Sequence, residues 1–243
     1  MLKQIFAIYR KELYSCFNTG LAYFVLGIYA VLSMLGTFYM GNFLGVNNSS
    51  LFSFFYFQND MLIILIPALT MRLWSEERKY GTIEFLLTQP VPLFSAVFAK
   101  FAAAWSMCVV MFSVSLPFWL YMNHYYRLDN VNIAASYFAC FMVAGCFSAV
   151  GCMISSFCTG PVTAYILSVF AFWGLQISNF DFLIRNIGLS DKIMVQTLRS
   201  LNFDKHYQDL LSGQISPDNI IYFGIIIAFA LWLNVVSIDY KKN

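Results

Sequence analysis

Long apolar runs alternate with short polar segments along the chain. A helix needs about 20 mostly apolar residues to cross the roughly 30 Å of bilayer hydrocarbon. Six runs reach or approach that length: 21–40, 55–73, 93–121, 133–155, 162–182 and 220–238. The pattern therefore predicts an all-α integral membrane protein with six transmembrane helices, organised as a single transmembrane domain over residues 1–243.

The composition supports this prediction. Of the 243 residues, 60% are hydrophobic and 11% are charged, whereas an average soluble domain has about 25% charged residues. The net charge of +2 is too small to indicate nucleic-acid binding. The first apolar run follows an amphipathic segment and is too long for a signal-peptide core, so we expect no cleavable signal peptide.

The segment 2–17, ahead of the first run, is amphipathic at the helical period. Its apolar side is formed by Leu2, Ile5, Phe6, Tyr9, Leu13, Cys16 and Phe17, and its polar side by Lys3, Gln4, Arg10 and Lys11. This pattern is typical of a helix that lies in the membrane interface. A break at residues 18–20 then allows the chain to turn into the first span.

The distribution of Lys and Arg predicts the orientation in the membrane. One side of the predicted topology carries Lys3, Arg10, Lys11, Arg72, Arg78, Lys79, Lys100, Lys241 and Lys242. The other carries Arg127, Arg185, Lys192, Arg199 and Lys205. Because basic residues favour the cytoplasmic side, we expect both termini in the cytoplasm and residues 183–219 in an external loop, with a short helical pattern in HYQDLL.

The sequence offers little support for catalysis or metal binding. His124 and His206 form no HExxH pair, and the chain contains neither a GxSxG elbow nor a GxxxxGK[ST] loop for ATP. Four cysteines recur at every sixth position: Cys140, Cys146, Cys152 and Cys158. A step of six residues rotates a helix by about 240°, so neighbouring cysteines face different directions. We therefore interpret them as small apolar residues of a span, and expect no metal, no directly bound cofactor and no catalytic residue.

The segment MRLWSEERKYGTIEFLLTQP, residues 71–90, gathers six charges within thirteen residues. Ser75 is a suitable N-cap, with Glu76 and Glu77 in the first turn. Gly81 allows a bend, and Thr82 can cap a second short helix. Such a segment could simply anchor the topology, but its three glutamates add nothing to the positive-inside rule. A docking element for a cytoplasmic protein, formed by residues 75–89, explains the mixed charge better.

Pro67 lies inside the second predicted span, in LIILIPALT. A proline in a membrane helix leaves a carbonyl without its usual donor and bends the axis. Pro67 is therefore a possible hinge, although a simple packing bend fits the sequence equally well.

The charged segment carries a family resemblance. The residues Pro67, Ala68, Thr70, Met71, Arg72, Glu76, Glu77, Gly81, Thr82, Glu84, Leu86, Leu87 and Pro90, followed by Lys100, resemble the segment after the second span of type 2 ABC transporter permeases. The likeness is greatest to the gliding-motility and nitrous-oxide-reductase-maturation branch. The YRKEL motif at 9–13 is similar to the interfacial helix of that family, and the runs 128–157 and 212–223 resemble its fourth span and the entry to its last span.

This resemblance implies a permease subunit in the bacterial inner membrane that exports a substrate with energy from a separate ABC ATPase, which would bind ATP and Mg. It implies a dimer with itself or with a paralogous permease, with possible periplasmic or membrane accessory proteins. The ATPase-coupling residues would be Glu76, Glu77, Arg78, Gly81, Thr82, Glu84, Leu86 and Leu87, and the interfacial helix would include Tyr9, Arg10, Lys11 and Glu12. The alternative is a scaffold or mechanotransmission subunit that uses the same ATPase docking; an intramembrane enzyme is a third, weaker hypothesis.

Overall fold

The computed structural model describes residues 2–36, 38, 51–83, 92–125, 128–176 and 201–240. Its helices are α1 (Leu2–Asn18), α2 (Gly20–Leu35), α3 (Phe52–Thr70), α4 (Arg72–Lys79), α5 (Leu93–Tyr125), α6 (Asn130–Phe157), α7 (Pro161–Gln176), α8 (Phe203–Leu211) and α9 (Pro217–Tyr240). No strand occurs in these ranges. The described part of the chain is therefore all-α, as the sequence predicts.

Four helices are long and apolar enough to cross a membrane. They are the continuous 28-residue helix Phe52–Lys79, formed by α3 and α4, together with α5, α6 and α9. The pair α1 and α2 meets at 70° and adds a fifth span if it is counted as one broken span. Helix α7 is apolar but only 16 residues long. Among the described residues, four to five candidate spans are therefore present, and six spans remain a prediction.

Helix α6 is the centre of the bundle. In its most apolar window 78% of the residues are buried, against 28% for α9. Small residues make this burial possible, because they let membrane helices approach closely. At Gly151 an added Cβ would overlap Thr70 Oγ1 of α3 and would lie 3.3 Å from the ring of Phe172 in α7. A glycine at this position therefore sets the close contact of α3, α6 and α7.

Helix α8 lies within the sequence predicted as an external loop, at the HYQDLL pattern. Asn202 caps it, since its side-chain oxygen accepts hydrogen bonds from the backbone N–H groups of Asp204 and Lys205 at 3.1 and 3.3 Å. On its inner face Phe203 is buried, and the Tyr207 hydroxyl donates to the carbonyl of Phe55 at 2.6 Å. This part of the loop is thus packed into the bundle, and α9 begins at Pro217, inside the predicted loop 183–219. The loop residues 183–200 lie outside the described part of the chain.

Candidate functional site

The charged segment starts as a direct continuation of α3. Helix α4 begins at Arg72, with Met71 at its N-cap position. The prediction that Ser75 caps a helix beginning at residue 75 is wrong, because Ser75 is fully buried inside α4 and its hydroxyl donates to the carbonyl of Met71. Glu76 and Glu77 accordingly lie beyond the first turn. The apolar side chains of Leu73 and Trp74 explain the difference, since they pack in the core and extend the preceding helix.

A tight turn follows α4. Gly81 has φ of +71°, a conformation that strongly favours glycine. Its N–H donates to the carbonyl of Arg78 at 3.1 Å, and the hydroxyl of Thr82 donates to the carbonyl of Glu77 at 3.3 Å. A bend therefore occurs at the residue where the sequence suggests one. The other predicted coupling residues, Glu84, Leu86 and Leu87, lie outside the described residues.

Exposure changes sharply along the α4 segment, residues 72–83. At its base Trp74 and Ser75 are completely buried, whereas Tyr80 at its tip is 72% exposed. Arg72 and Glu76 form an ion pair of 2.9 Å one helical turn apart on the partly exposed side of the segment. Arg78 is half-buried. The segment therefore has a base that is buried in the protein and a tip that is exposed.

A buried lysine holds the base of α4 from one side. Lys100 of α5 is 1% exposed, and its ammonium nitrogen lies 3.0 Å from Glu12 Oε1, 2.9 Å from Glu77 Oε1 and 2.6 Å from the carbonyl oxygen of Leu73. The three N–H donors of an ammonium group are thereby all used. The same nitrogen is 4.7 Å from the centre of the Trp74 ring, within the range of a cation–π contact.

Lys11 completes a compact group of charges, which we call the ion cluster: Lys11, Glu12, Glu77 and Lys100. The Lys11 ammonium is 3.7 Å from Oε1 of both glutamates, and its side chain is 66% exposed. Two carboxylates therefore face two ammonium groups, and the cluster is formally neutral. It joins three separate helices, α1, α4 and α5.

The ion cluster revises the roles that the sequence suggests for its members. Glu77, a predicted docking residue, has a side chain only 15% exposed and points toward Lys100. Glu12 is likewise turned inward, at 9% exposure, while its neighbours Arg10 and Lys11 are exposed and Tyr9 is half-buried. The position of Lys100 inside the apolar run 93–121 was the available signal, since an ionisable residue within a span needs a partner.

A neutral contact holds the base of α4 from the other side. The hydroxyl of Ser155 in α6 accepts hydrogen bonds from the N–H groups of Trp74 at 3.1 Å and Ser75 at 3.2 Å, and it donates to the carbonyl of Met71 at 3.0 Å. These backbone groups lie at the junction of α3 and α4, where the regular helical pattern is interrupted. Ser155 thus gives these buried backbone groups additional hydrogen-bond partners from a neighbouring helix.

Cys152, one turn before Ser155, extends this neutral contact to α9. Its sulfur accepts hydrogen bonds from the Trp74 indole N–H at 3.3 Å and from the Asn234 side-chain amide at 3.2 Å. All three side chains are fully buried. No group of three or more potential metal ligands is present among the described residues. Cys152 is therefore a buried residue of a span that also accepts hydrogen bonds, and Cys140 and Cys146 likewise contact the Tyr207 hydroxyl and the Phe223 carbonyl, each at 3.4 Å.

An apolar groove of about 360 Å³ lies between α2, α3 and α7, on the bundle surface. Phe24, Ile64 and Tyr165 are among the side chains that line it. Pro67 is buried in α3 next to Ala68, which lines the groove, and its carbonyl accepts the N–H of Met71 at 2.8 Å. The helix thus continues past the proline toward α4.

Comparison with known proteins identifies the family. A family model described as ABC-2 family transporter protein matches residues 7–238. A search of curated proteins finds no significant match. Because the family match extends over nearly the whole chain, the chain belongs to the ABC-2 family: it is a multi-pass membrane permease, the membrane subunit of an ABC transporter that works with an ABC ATPase subunit.

Proposed function

We propose that this permease is moved by a separate ATPase subunit through the α4 segment and the residues that follow it. The single observation that carries the proposal is the contrast within the segment. Its base is buried and held by two polar anchors, the ion cluster on one side and Ser155 with Cys152 on the other, whereas its tip at Tyr80 and Gly81 is exposed. A segment that transmits force needs a tip that the partner can contact and a base that is held firmly to the bundle.

The two anchors determine which helices would move together with the tip. Helix α4 continues α3 without a sharp break, the ion cluster ties it to α1 and α5, and Ser155 and Cys152 tie it to α6 and α9. Packed helices tend to move as rigid bodies rather than deform continuously. Closure of the ATPase pair against the tip would therefore displace these helices together.

The proposal divides the predicted coupling residues into two groups. We assign ATPase contacts to Glu76, Arg78, Gly81 and Thr82, and to Glu84, Leu86 and Leu87. Glu77 is assigned to the anchor instead, because its carboxylate is bonded to Lys100. Gly81 would set the direction in which the tip leaves the bundle.

The cellular setting follows from the family and the charges. We propose a location in the bacterial inner membrane with both termini in the cytoplasm, assembly with a second permease copy or a paralogue, and export driven by ATP and Mg bound to the ATPase. A gliding-motility or nitrous-oxide-reductase-maturation type of complex, with accessory proteins, is the branch we favour from the coupling motif. The apolar groove between α2, α3 and α7 supports a hydrophobic substrate.

The test is co-purification of the ATPase subunit with tip variants. Gly81→Pro removes the N–H that donates to Arg78 and forces a negative φ where the turn needs a positive one. Glu84→Arg reverses a charge in the proposed docking surface. We expect each variant to reduce ATPase recovery at least about tenfold, equal to about 1.4 kcal/mol of binding, while membrane insertion stays unchanged.

Lys205→Gln provides the matched control, because Lys205 is exposed on α8 and takes no part in the proposed contact. The control should recover the ATPase as the unsubstituted chain does. Full ATPase recovery and ATP-dependent activity in both tip variants would refute docking at this segment. Intact docking without stimulation of ATPase activity by any hydrophobic substrate in proteoliposomes would favour the scaffold alternative.

A further inference from the structure

One face of α1 carries three cations and no acid. The face consists of Lys3, Phe6, Ala7, Arg10, Lys11 and Tyr14, which follow the helical spacing of three, four, seven, eight and eleven residues and are all exposed. The single acidic residue of α1, Glu12, lies on the opposite side and is bonded to Lys100. We call this six-residue surface the basic face of α1.

The basic face also exposes two large aromatic rings. Phe6 is 63% exposed and Tyr14 is 73% exposed. Exposed aromatic side chains next to basic ones are characteristic of helices at the membrane–water interface, where the rings sit at headgroup level and the cations meet lipid charge. A purely aqueous surface gives such rings no comparable gain.

The geometry of α1 leaves the basic face on the outside of the bundle. Helix α1 meets α2 at 70°, and α2 exposes the apolar rings of Tyr23 and Phe24. If α2 crosses the bilayer, α1 lies at a shallow angle to the membrane surface. Its inner face packs along α5, so the opposite, basic face is available to headgroups rather than to the bundle.

We propose that the basic face of α1 binds the headgroups of anionic phospholipids. Charge complementarity carries the inference: Lys3 and Arg10 place two positive charges on a face that has no carboxylate of its own, and this favours an anionic surface over a zwitterionic one. The neighbouring rings favour lipid over a soluble partner. Lys11 connects this face to the ion cluster, because its ammonium also lies 3.7 Å from Glu12 and Glu77. The binding stands apart from ATPase docking and does not depend on it.

Lipid titration of the purified full chain tests the proposal. The protein in neutral detergent is titrated with phosphatidylglycerol or with phosphatidylcholine, and bound lipids are counted by native mass spectrometry. We expect a preference for phosphatidylglycerol that weakens as salt is raised. The double substitution Lys3→Gln and Arg10→Gln should lower the affinity for phosphatidylglycerol about fivefold for each cation removed. Lys11 is left unchanged because it belongs to the ion cluster.

Two variants control for structural damage and for general charge. Lys3→Arg with Arg10→Lys keeps both charges and should retain the preference, while Lys205→Gln removes a cation from another surface and should also retain it. Equal binding of the two lipids by the unsubstituted chain overturns the proposal. An unaltered preference in the double Gln variant also overturns the proposal. If that variant loses ATPase recovery and keeps its lipid preference, the face binds the protein partner instead of lipid.

Discussion

The two anchors at the base of α4 differ in chemistry and in depth. The ion cluster uses four charges, and its outermost member, Lys11, is 66% exposed. The anchor on the other side uses Ser155, Cys152 and Asn234, which are neutral and fully buried. Charges thus occur where water reaches part of the group, and neutral hydrogen bonds occur where it does not. This is the arrangement that the cost of burying charge favours.

The difference also determines how each anchor fails. Removing one member of a buried ion group leaves the remaining charge without a partner, which costs more than the pair itself contributes. Removing a hydroxyl takes neutral hydrogen bonds away from backbone N–H and C=O groups, which costs less for each group. Single substitutions should therefore damage the ionic anchor more than the neutral one, although both hold the same segment.

The largest effect is expected for Lys100→Met, which keeps the length of the side chain and removes its charge. Glu12 and Glu77 would then face each other without the ammonium that now lies 3.0 and 2.9 Å from them. We expect a loss of about 3–5 kcal/mol in the free energy of unfolding. Titration of detergent-solubilised protein with a denaturing surfactant, followed by tryptophan fluorescence, measures this loss.

Neutralising the whole group provides the decisive control for Lys100→Met. A triple variant with Glu12→Gln, Glu77→Gln and Lys100→Met removes the unpaired charges and should recover much of the stability. Lys79→Met removes an exposed cation at the end of α4, the helix that carries Glu77, and should change stability by less than about 0.5 kcal/mol. A triple variant no more stable than Lys100→Met would contradict the electrostatic explanation.

A smaller effect is expected for Ser155→Ala. The substitution removes a side-chain acceptor from the N–H groups of Trp74 and Ser75 and one of the two side-chain donors to the Met71 carbonyl. We expect a loss of about 1–3 kcal/mol in the same unfolding titration. Ser156→Ala is a close control, because Ser156 is equally buried but bonds only to the carbonyl of Met153 in its own helix. Equal losses in the two variants would show that the bridge to α4 contributes nothing specific.

The helices and the turn were accessible from the sequence because their signals are local. Apolar runs of about 20 residues mark the helices, and a glycine between charged and polar residues marks the turn at Gly81. The starting residue of α4 could not be predicted from the sequence. Ser75 has the chemistry of an N-cap, but the burial of Leu73 and Trp74 against the bundle outweighs that local preference.

The anchors themselves depend on contacts between distant parts of the chain. Glu12, Glu77 and Lys100 come from three separate segments, and sequence alone does not state which charge meets which. The sequence therefore predicts Glu77 to be a docking residue, whereas its carboxylate faces inward and accepts a hydrogen bond from Lys100. Ser155 gave no signal at all, since one serine in a span rich in small residues resembles its neighbours.

The smallest effect is expected at the tip, which neither anchor reaches. Gly81→Ala adds a Cβ that meets no atom of the described residues within 4 Å, so among these residues only the φ of +71° opposes it. A left-handed conformation costs an alanine about 1–2 kcal/mol, partly offset by its less flexible unfolded state. We expect net local destabilisation of about 1 kcal/mol, visible as roughly fivefold faster tryptic cleavage after the exposed Lys79. Gly27→Ala is the control, since Gly27 has equal space but lies within α2, and it should leave cleavage at Lys79 unchanged. If Gly81→Ala also leaves it unchanged, the tip does not depend on this turn, and the contrast between a fixed base and a turn-directed tip fails.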